Sequence, residues 1–446
     1  MNMNHIYDVV GIGFGPSNLA LAALFDENRD SQLSAIFLEK KSSFSWHENM
    51  LIPGTEMQIS FLKDIATFRT PSSPYTFINY LHSVGRLSLF ANLRTFYPSR
   101  IEFNRYFTWV AEKLDQYVNY NCTVTDIHVY GKSPHMILRV IYEKIDAKSH
   151  RSTSYFLAKN IVVATGGFPY IPPGITRQVD NQRIWHTSEY LQKIEKYKSQ
   201  SKYPYHFCVV GGGQSAAEVT HDLHQFFPNA AINCIHNNFG LKASDDSEFI
   251  NEIFLPENVD LFYDTSGPMR KKLLEAYQNT NYAVVDTELI QKLYRIKYEE
   301  SVTGKKRLHF NRLSVMKSAN ETDHHVEVNI KNTVCPTCIE PLQADALILA
   351  TGYTYLNPPP ILQTLSHYLI TNELGLPSVT RNHQLLTLSN LKAGIYLQGY
   401  HESTHGITDT LLSASSIRAQ GIFEQILSAS RQQIKYVKTT ENRLAI

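Results

Sequence analysis

Residues 7–25 leave a chain of this kind few options. Tyr7-Asp8-Val9-Val10-Gly11-Ile12 reads as a buried strand, and Leu19-Ala20-Leu21-Ala22-Ala23-Leu24-Phe25 as an apolar helix. Between them runs Gly11-Ile12-Gly13-Phe14-Gly15-Pro16-Ser17-Asn18. Strand, glycine turn and helix in that order aim backbone N–H groups and a helix N-terminus at a pyrophosphate. The match to G-x-G-x-x-G is partial: Ser17 or Asn18 falls near the third glycine's place, and Gly15 interrupts the middle. Context strengthens it. The next apolar run, Ser34-Ala35-Ile36-Phe37-Leu38, ends in Glu39, 24 residues after Gly15, where a carboxylate accepts hydrogen bonds from a ribose.

The pattern returns after a Lys- and Tyr-rich linker at about 190–205. His206-Phe207-Cys208-Val209-Val210 reads as a strand, and Gly211-Gly212-Gly213-Gln214-Ser215-Ala216-Ala217-Glu218 opens a helix. Gly211, Gly213 and Ala216 fit G-x-G-x-x-[GA]. The following strand, Ala231–Ile235, leads into His236 and Asn237. An acid there favours a free 2′-hydroxyl and a base a 2′-phosphate, so His236 is ambiguous. Each unit returns on an apolar strand ending in Ala-Thr-Gly, at 164–166 and at 350–352. The expected fold is α/β, with two Rossmann-like dinucleotide-binding domains and a small, mainly helical substrate-binding part. The first domain, expected over 1–190 and 345–446, would hold FAD. The second, over 204–344, would hold a nicotinamide nucleotide, with 241–300 supplying the helical part. In the last stretch, Gly394–Gln398 reads as a strand and His405-Gly406-Ile407 as the opening of a final helix. The chemistry implied is hydride transfer to a flavin.

Composition narrows what lies beyond the flavin. Forty-two basic residues against 41 acidic leave a formal charge of +1, which points to neither nucleic acid nor a membrane surface. No apolar run has the length of a membrane span. Met1-Asn2-Met3-Asn4-His5-Ile6-Tyr7 has no basic n-region, so no signal peptide is expected and the location expected is the cytoplasm. Five scattered cysteines fit a reducing compartment better than a disulfide framework. Disulfide reductases carry a redox Cys pair after the early strands, and residues 40–70 contain no cysteine. Cys335-Pro336-Thr337-Cys338 lies far along the chain from the flavin motifs and lacks the second pair a zinc site needs. No metal is expected, and dioxygen is the natural electron acceptor.

Six stretches carry a resemblance: Gly11–Asn18, Met57-Gln58-Ile59-Ser60-Phe61-Leu62-Lys63-Asp64, Gly211–Glu218, Asp245–Glu252, Asn279-Thr280-Asn281-Tyr282 and His405-Gly406-Ile407-Thr408-Asp409-Thr410-Leu411-Leu412-Ser413. Together they resemble the flavin-dependent N-hydroxylating monooxygenases, the ornithine and lysine N-hydroxylases of siderophore biosynthesis, and the ornithine branch more than the lysine branch. The resemblance covers nearly the whole chain. It implies that NADPH reduces FAD, that reduced flavin and O₂ give a C4a-hydroperoxide, and that a neutral primary amine attacks its distal oxygen. It implies that Trp46 and Gln58 flank the flavin, with His47 beside them, and that Arg100 lies near the nicotinamide. Lys63 and Asn251 would hold the substrate's amino-acid end. Asn281 would bridge nucleotide and substrate, and these three form the expected catalytic set. Gln214 and Ser215 would hold the nicotinamide nucleotide, and His405, Gly406 and Thr408 would lie against flavin and substrate. Relatives are often tetramers, so a homo-oligomer, tetramer or dimer, is expected.

Two departures stand out. His236 and Asn237 occupy the place where the family often has Arg for the 2′-phosphate. Thr408 stands where it often has Ser, and the residues before it, His401-Glu402-Ser403-Thr404, differ too. The substrate's non-reacting end therefore stays open: L-ornithine leads, with L-lysine or a carboxylate-free amine (putrescine, cadaverine, histamine) as alternatives. Read without the resemblance, Lys63 could snorkel or pair with Asp64, and Asn251 and Asn281 could be capping or surface residues. An oxygenase of ketones or sulfides also pairs two nucleotide sites, but Lys63 and 245–252 argue against it. A non-catalytic flavin-binding sensor would fail to oxidise NADPH rapidly on amine addition.

Overall fold

The computed structural model describes residues 5–132, 136–146, 148–176, 182–335, 337 and 339–444. The first unit is built on the strand Ile6–Ile12, which lies between Ala35–Leu38 and Arg151–Val163, parallel to both. A parallel sheet is covered on both faces, so its strands read as continuous apolar runs. Accordingly Val9 faces a core with the helix Pro16–Glu27, while Val10 and Ile12 face a second core on the opposite side. The long strand Arg151–Val163 has different partners along its length within one seven-stranded sheet. Its first half is antiparallel to Ile137–Ile145, and its second half accepts Gly394–Leu397 in parallel.

Gly13 and Gly211 explain why Ala-Thr-Gly recurs. At Gly13 (φ +84°) an added Cβ would stand 2.6 Å from the Ala164 carbonyl oxygen. At Gly211 (φ +149°) it would stand 2.3 Å from that of Ala350. Each turn crosses the end of the neighbouring strand so closely that only glycine fits. The first turn is locked further by buried Asn18, which donates to the Gly13 carbonyl at 2.7 Å and accepts from Gln398 at 2.9 Å.

The second unit is a five-stranded parallel sheet in the order Leu308–Asn311, Ala231–Ile235, His206–Val210, Ala346–Leu349, Ile184–His186. Two boundaries therefore differ from expectation. Ile184–His186 and Ala346–Leu349, both expected in the first unit, are strands of the second. The expected linker also contains the helix Tyr190–Lys198, whose Tyr190, Ile194 and Tyr197 are buried in the second core. A burial stripe spaced four and three residues apart overrides the Lys-rich composition around it. Chain entry and exit pair with one another: Phe168–Pro169 and Tyr353–Thr354 form a two-stranded antiparallel link. Helices over 248–303 are as expected, and no helix among the described residues is long and apolar enough to cross a membrane.

His405 does not open the last helix. It ends the short helix Glu402–His405, Gly406 (φ +82°) breaks the turn, and the long helix begins at Ser415. Cys122, Cys208 and Cys234 are buried thiols, whereas Cys335 is disulfide-bonded. Cys338 and Pro336 of the Cys-x-x-Cys stretch lie outside the described residues.

Candidate active site

Both helices that follow the glycine turns begin bare. Pro16–Glu27 and Gln214–Phe226 have glycine N-caps (Gly15, Gly213), no side-chain cap and no acid in the first turn. Their first N–H groups lack intrahelical partners and carry the positive end of the dipole, which suits a pyrophosphate. A Cβ at Gly15 would meet nothing within 4 Å, so space opens beside that turn. Pro16 pre-sets the first helical turn without losing a bonded N–H. Ser17 is held through its hydroxyl by Arg418 Nη2 at 3.0 Å. Glu39 is buried at the strand end, accepting Phe14 N–H at 2.8 Å and Lys41 N–H at 3.0 Å. Those bonds pin the carboxylate beside the turn with lone pairs left for a ribose. The first turn thus fits FAD, and Gly211 and Gly213 offer a matching turn for a nicotinamide nucleotide.

The cleft between the units is crossed by one polar network. Asp286 accepts from Gln58 Nε2 at 2.9 Å and from Gln214 Nε2 at 2.8 Å, and its own N–H donates to Gln214 Oε1 at 2.9 Å. Gln214 also donates to Glu218 at 3.0 Å. Arg100 closes the chain with two bonds to the Glu218 carboxylate, at 2.9 and 2.8 Å. Gln58 and Arg100 come from the first unit, and Gln214, Glu218 and Asp286 from the second. Ser215 sits half-buried in the first turn of the same helix as Gln214. Trp46 packs edge-on against Phe107 and against His47, which carries a left-handed backbone (φ 47°). The His47 ring keeps an open side to the cleft, yet the surrounding protein and then the Arg100 and Lys41 charges push it down to about 4.

Lys63 ends the short turn Phe61–Lys63 and lies half-buried, its ammonium 5.8 Å from the centre of the Phe254 ring. Burial lowers its pKa. Pairing with Asp64 is ruled out: that carboxylate is buried and takes the N–H groups of Ala66, Thr67 and Phe77 and the Thr67 hydroxyl. Among the described residues Lys63 has no acidic partner. Phe254 follows Asn251, whose side chain closes back on the Asp246 carbonyl at 2.7 Å. Asn281 is half-buried, and the Tyr282 hydroxyl next to it donates to Glu402 at 2.6 Å. Burial pushes the Glu402 carboxyl up. Thr408 is buried in the Ile407–Thr410 turn, its hydroxyl donating to the His405 carbonyl. The His405 ring is itself buried and stacks on His383 rather than standing at a helix start.

Burial disfavours a cationic reader at His236. The residue is 4% exposed, and burial lowers its pKa. The hairpin opposite brings another cation to the same place. Leu313 N–H bonds the Asn238 carbonyl and Ser314 N–H that of His236, both at 3.0 Å, which sets the Arg312 guanidinium 4.6 Å over the Phe239 ring.

The family model for L-lysine 6-monooxygenase/L-ornithine 5-monooxygenase matches residues 5–355. This chain belongs to that family. The L-ornithine N(5)-monooxygenase of Pseudomonas aeruginosa is 38% identical over 420 residues, covering 94% of this chain and 93% of its own. That of Burkholderia cepacia is 40% identical over 412 residues, 91% of each chain. The ornithine N-hydroxylase of Kutzneria sp. 744, solved as FADred-NADP+-L-orn, superposes with a TM-score of 0.90 at 36% identity, over 96% of this chain and all of its own.

Set against this family fold, the sequence reading missed Asp286 and Glu218 as bridges, Tyr282 with Glu402, and Arg312. Asp286 stands alone before a helix, and Arg312 lies in a hairpin remote from His236 along the chain. A strand reading of 307–315 gives no sign of the turn at Arg312, which splits it into Leu308–Asn311 and Ser314–Glu321.

Proposed function

We propose that this protein N-hydroxylates the terminal amine of L-ornithine, for siderophore biosynthesis, with dioxygen as oxidant. It is a flavin-dependent N-hydroxylating monooxygenase, and FAD and NADPH are its cofactors. The Gly11, Gly13 and Gly15 turn with Glu39, Trp46, His47 and Gln58 would hold FAD; Gly211, Gly213, Gln214 and Ser215 would hold NADPH. Bound there, the two supply the hydride and the activation of dioxygen.

The observation that carries the substrate reading is Lys63. A desolvated ammonium without an acid beside it favours an incoming carboxylate, and a charge-assisted bond there contributes about 1.5–3 kcal/mol. The far end of the substrate must then arrive as a free base. An alkylamine with a pKa near 10.4 is only about 0.4% neutral at pH 8, a cost of roughly 3.3 kcal/mol. A dry pocket lowers that pKa by disfavouring the ammonium. Binding at Lys63, Asn251 and Asn281 places the amine, so affinity is spent on position rather than tightness. Thr408 would border the same pocket. A homo-oligomer in the cytoplasm is part of this reading.

The test measures hydroxylamine formed by FAD-loaded protein with NADPH, offered ornithine, lysine, putrescine or histamine. Turnover concentrated on ornithine is the expected result. Equal turnover of putrescine would keep the reaction and overturn Lys63 as carboxylate anchor. NADPH oxidation that no amine accelerates would overturn the reading as a whole.

A further inference from the structure

Three histidines and an aspartate meet at the Ile407–Thr410 turn, His383 from one stretch and the other three spaced four apart over 401–409. His383 follows the bend at Thr380, His401 precedes the short helix Glu402–His405, His405 ends it, and Asp409 lies in the next turn. One nitrogen from each imidazole falls within 4.8 Å of the others. The His383 and His405 rings stack with centroids 4.1 Å apart, and His401 lies 5.9 and 5.6 Å from them. Asp409 Oδ1 is 3.4 Å from His383 Nδ1 with no hydrogen bond between them.

All four side chains are buried, none more than 4% exposed. Buried polar atoms almost always find partners, because leaving one unpaired costs about 1–3 kcal/mol. Here both ring nitrogens of His401, Nδ1 of His383 and Oδ1 of Asp409 make no hydrogen bond. Four orphaned atoms in one place are a donor set in want of an acceptor. His405 completes it differently: its Nε2 faces the Arg381 carbonyl at 3.1 Å and its Nδ1 the Thr404 hydroxyl at 2.8 Å. With the proton on Nε2, the one lone pair of Nδ1 faces the Thr404 hydroxyl, which can turn to the His401 carbonyl at 3.1 Å and leave Nδ1 to an ion, oriented by the carbonyl behind it.

We infer that His383, His401, His405 and Asp409 form a site for one divalent transition-metal ion, zinc by preference, using one nitrogen of each histidine and Oδ1 of Asp409. Three imidazoles and a carboxylate suit zinc, whereas calcium and magnesium require oxygen ligands. Ligand atoms around a tetrahedral zinc stand about 3.3 Å apart. The widest pair must therefore close from 4.8 Å by about 1.5 Å, within the swing of an imidazole ring. Of the neighbouring cations, Arg418 pairs loosely with Asp409 Oδ1 but donates its hydrogen bonds to other groups, and Arg381 is paired away from the site. Arg418 donates to the Asp409 carbonyl, Gln398 and Ser17, with Nη1 3.8 Å from Oδ1, and Arg381 pairs with Asp260. A cavity of about 280 Å³ bordered by Arg381, His383, His405 and Asp409 gives an entry path. An ion here would fix the turn that carries Thr408.

The experiment uses full-length, FAD-loaded protein equilibrated with micromolar Zn²⁺. Metal per flavin, the zinc X-ray absorption fine structure and the zinc dependence of Tm are measured for wild type, His383→Gln and His401→Gln. The expected result is one zinc per flavin in a shell of nitrogen and oxygen at about 2.0 Å without sulfur. Each substitution weakens it by roughly tenfold or more, and zinc raises Tm in wild type alone. Absence of zinc, a sulfur-containing shell, or retention undiminished in both variants (an adventitious ion only) overturns the assignment. Should the variants lose flavin, the wild-type ligand shell and its zinc-dependent Tm decide alone.

Discussion

On the proposed reading, two cations set the choices this enzyme makes among small molecules. Lys63 has no acid to satisfy it, since Asp64 is consumed by the N–H groups of Ala66, Thr67 and Phe77. Lys63→Ala should therefore raise the KM for ornithine by roughly tenfold or more, the loss of one charge-assisted bond, and leave a carboxylate-free amine unaffected. Steady-state assays with ornithine and putrescine check this, and an unchanged ornithine KM would remove Lys63 from substrate binding. Arg312 bears on the nucleotide. Burial disfavours the charged form of His236, so the guanidinium over Phe239 is the cation better placed to meet a 2′-phosphate. Arg312→Ala should raise the KM for NADPH by about tenfold, one bidentate phosphate contact, while the KM for NADH stays put. A loss shared equally by both nucleotides would place Arg312 outside phosphate recognition.

One carboxylate holds the edge strand that leads to Arg312. Glu300, on the helix Thr287–Thr303, accepts the N–H groups of Arg307 at 2.8 Å and Leu308 at 2.9 Å, and contacts His224 at 2.8 Å. Burial pushes its carboxyl up, but the bonds from Leu308, His224 and Arg307 outweigh that and hold it below the usual carboxylate range. Its folded pKa is thus the lower one, so its stabilisation is present above the unfolded value and fades as pH falls through the folded value. Glu300→Gln should cost about 2 kcal/mol at pH 7. In chemical denaturation the gap from wild type should narrow below about pH 4.5; a gap constant with pH would show that the charge contributes nothing. Elements of this kind differ in how far sequence reveals them. The turns at Gly13 and Gly211 were legible because their cause is local: glycine where no Cβ fits beside Ala164 or Ala350. The helix Tyr190–Lys198 carried a readable stripe, Tyr190, Ile194 and Tyr197, masked by its lysines. Ile184–His186 is three residues long, too short for any periodicity, and joins its sheet only through the distant Leu347–Leu349. Lys63 was singled out by its motif, and His401, His405 and Asp409 recur every four residues, whereas His383 joins them only through a chain reversal that leaves no spacing rule.

At the scale of the molecule, two nucleotide-binding units must present their ligands to each other. The ribbon of Phe168–Pro169 with Tyr353–Thr354 ties them by backbone, but a two-residue ribbon fixes an angle weakly. The network Gln58–Asp286–Gln214–Glu218–Arg100 fixes it better, because it couples side chains from both units through a buried ion pair. Arg100 and Glu218 are 13% and 3% exposed. Removing one partner leaves a buried charge uncompensated, at about 3–5 kcal/mol, whereas replacing both by apolar residues is often neutral. Hydride transfer asks more than stability, since reacting atoms must approach within about 3.5 Å and a 1 Å error costs on the order of a hundredfold. The two demands separate experimentally. Arg100→Ala should lower Tm and slow flavin reduction by NADPH; Arg100→Met with Glu218→Leu should recover Tm and leave reduction slow. Stopped-flow bleaching of the flavin under anaerobic conditions reads the rate, and flavin content reports the first unit's integrity. Fast reduction in the double variant would mean that the ion pair only holds the units together. Slow reduction at restored Tm would mean that it sets the angle at which nicotinamide meets flavin.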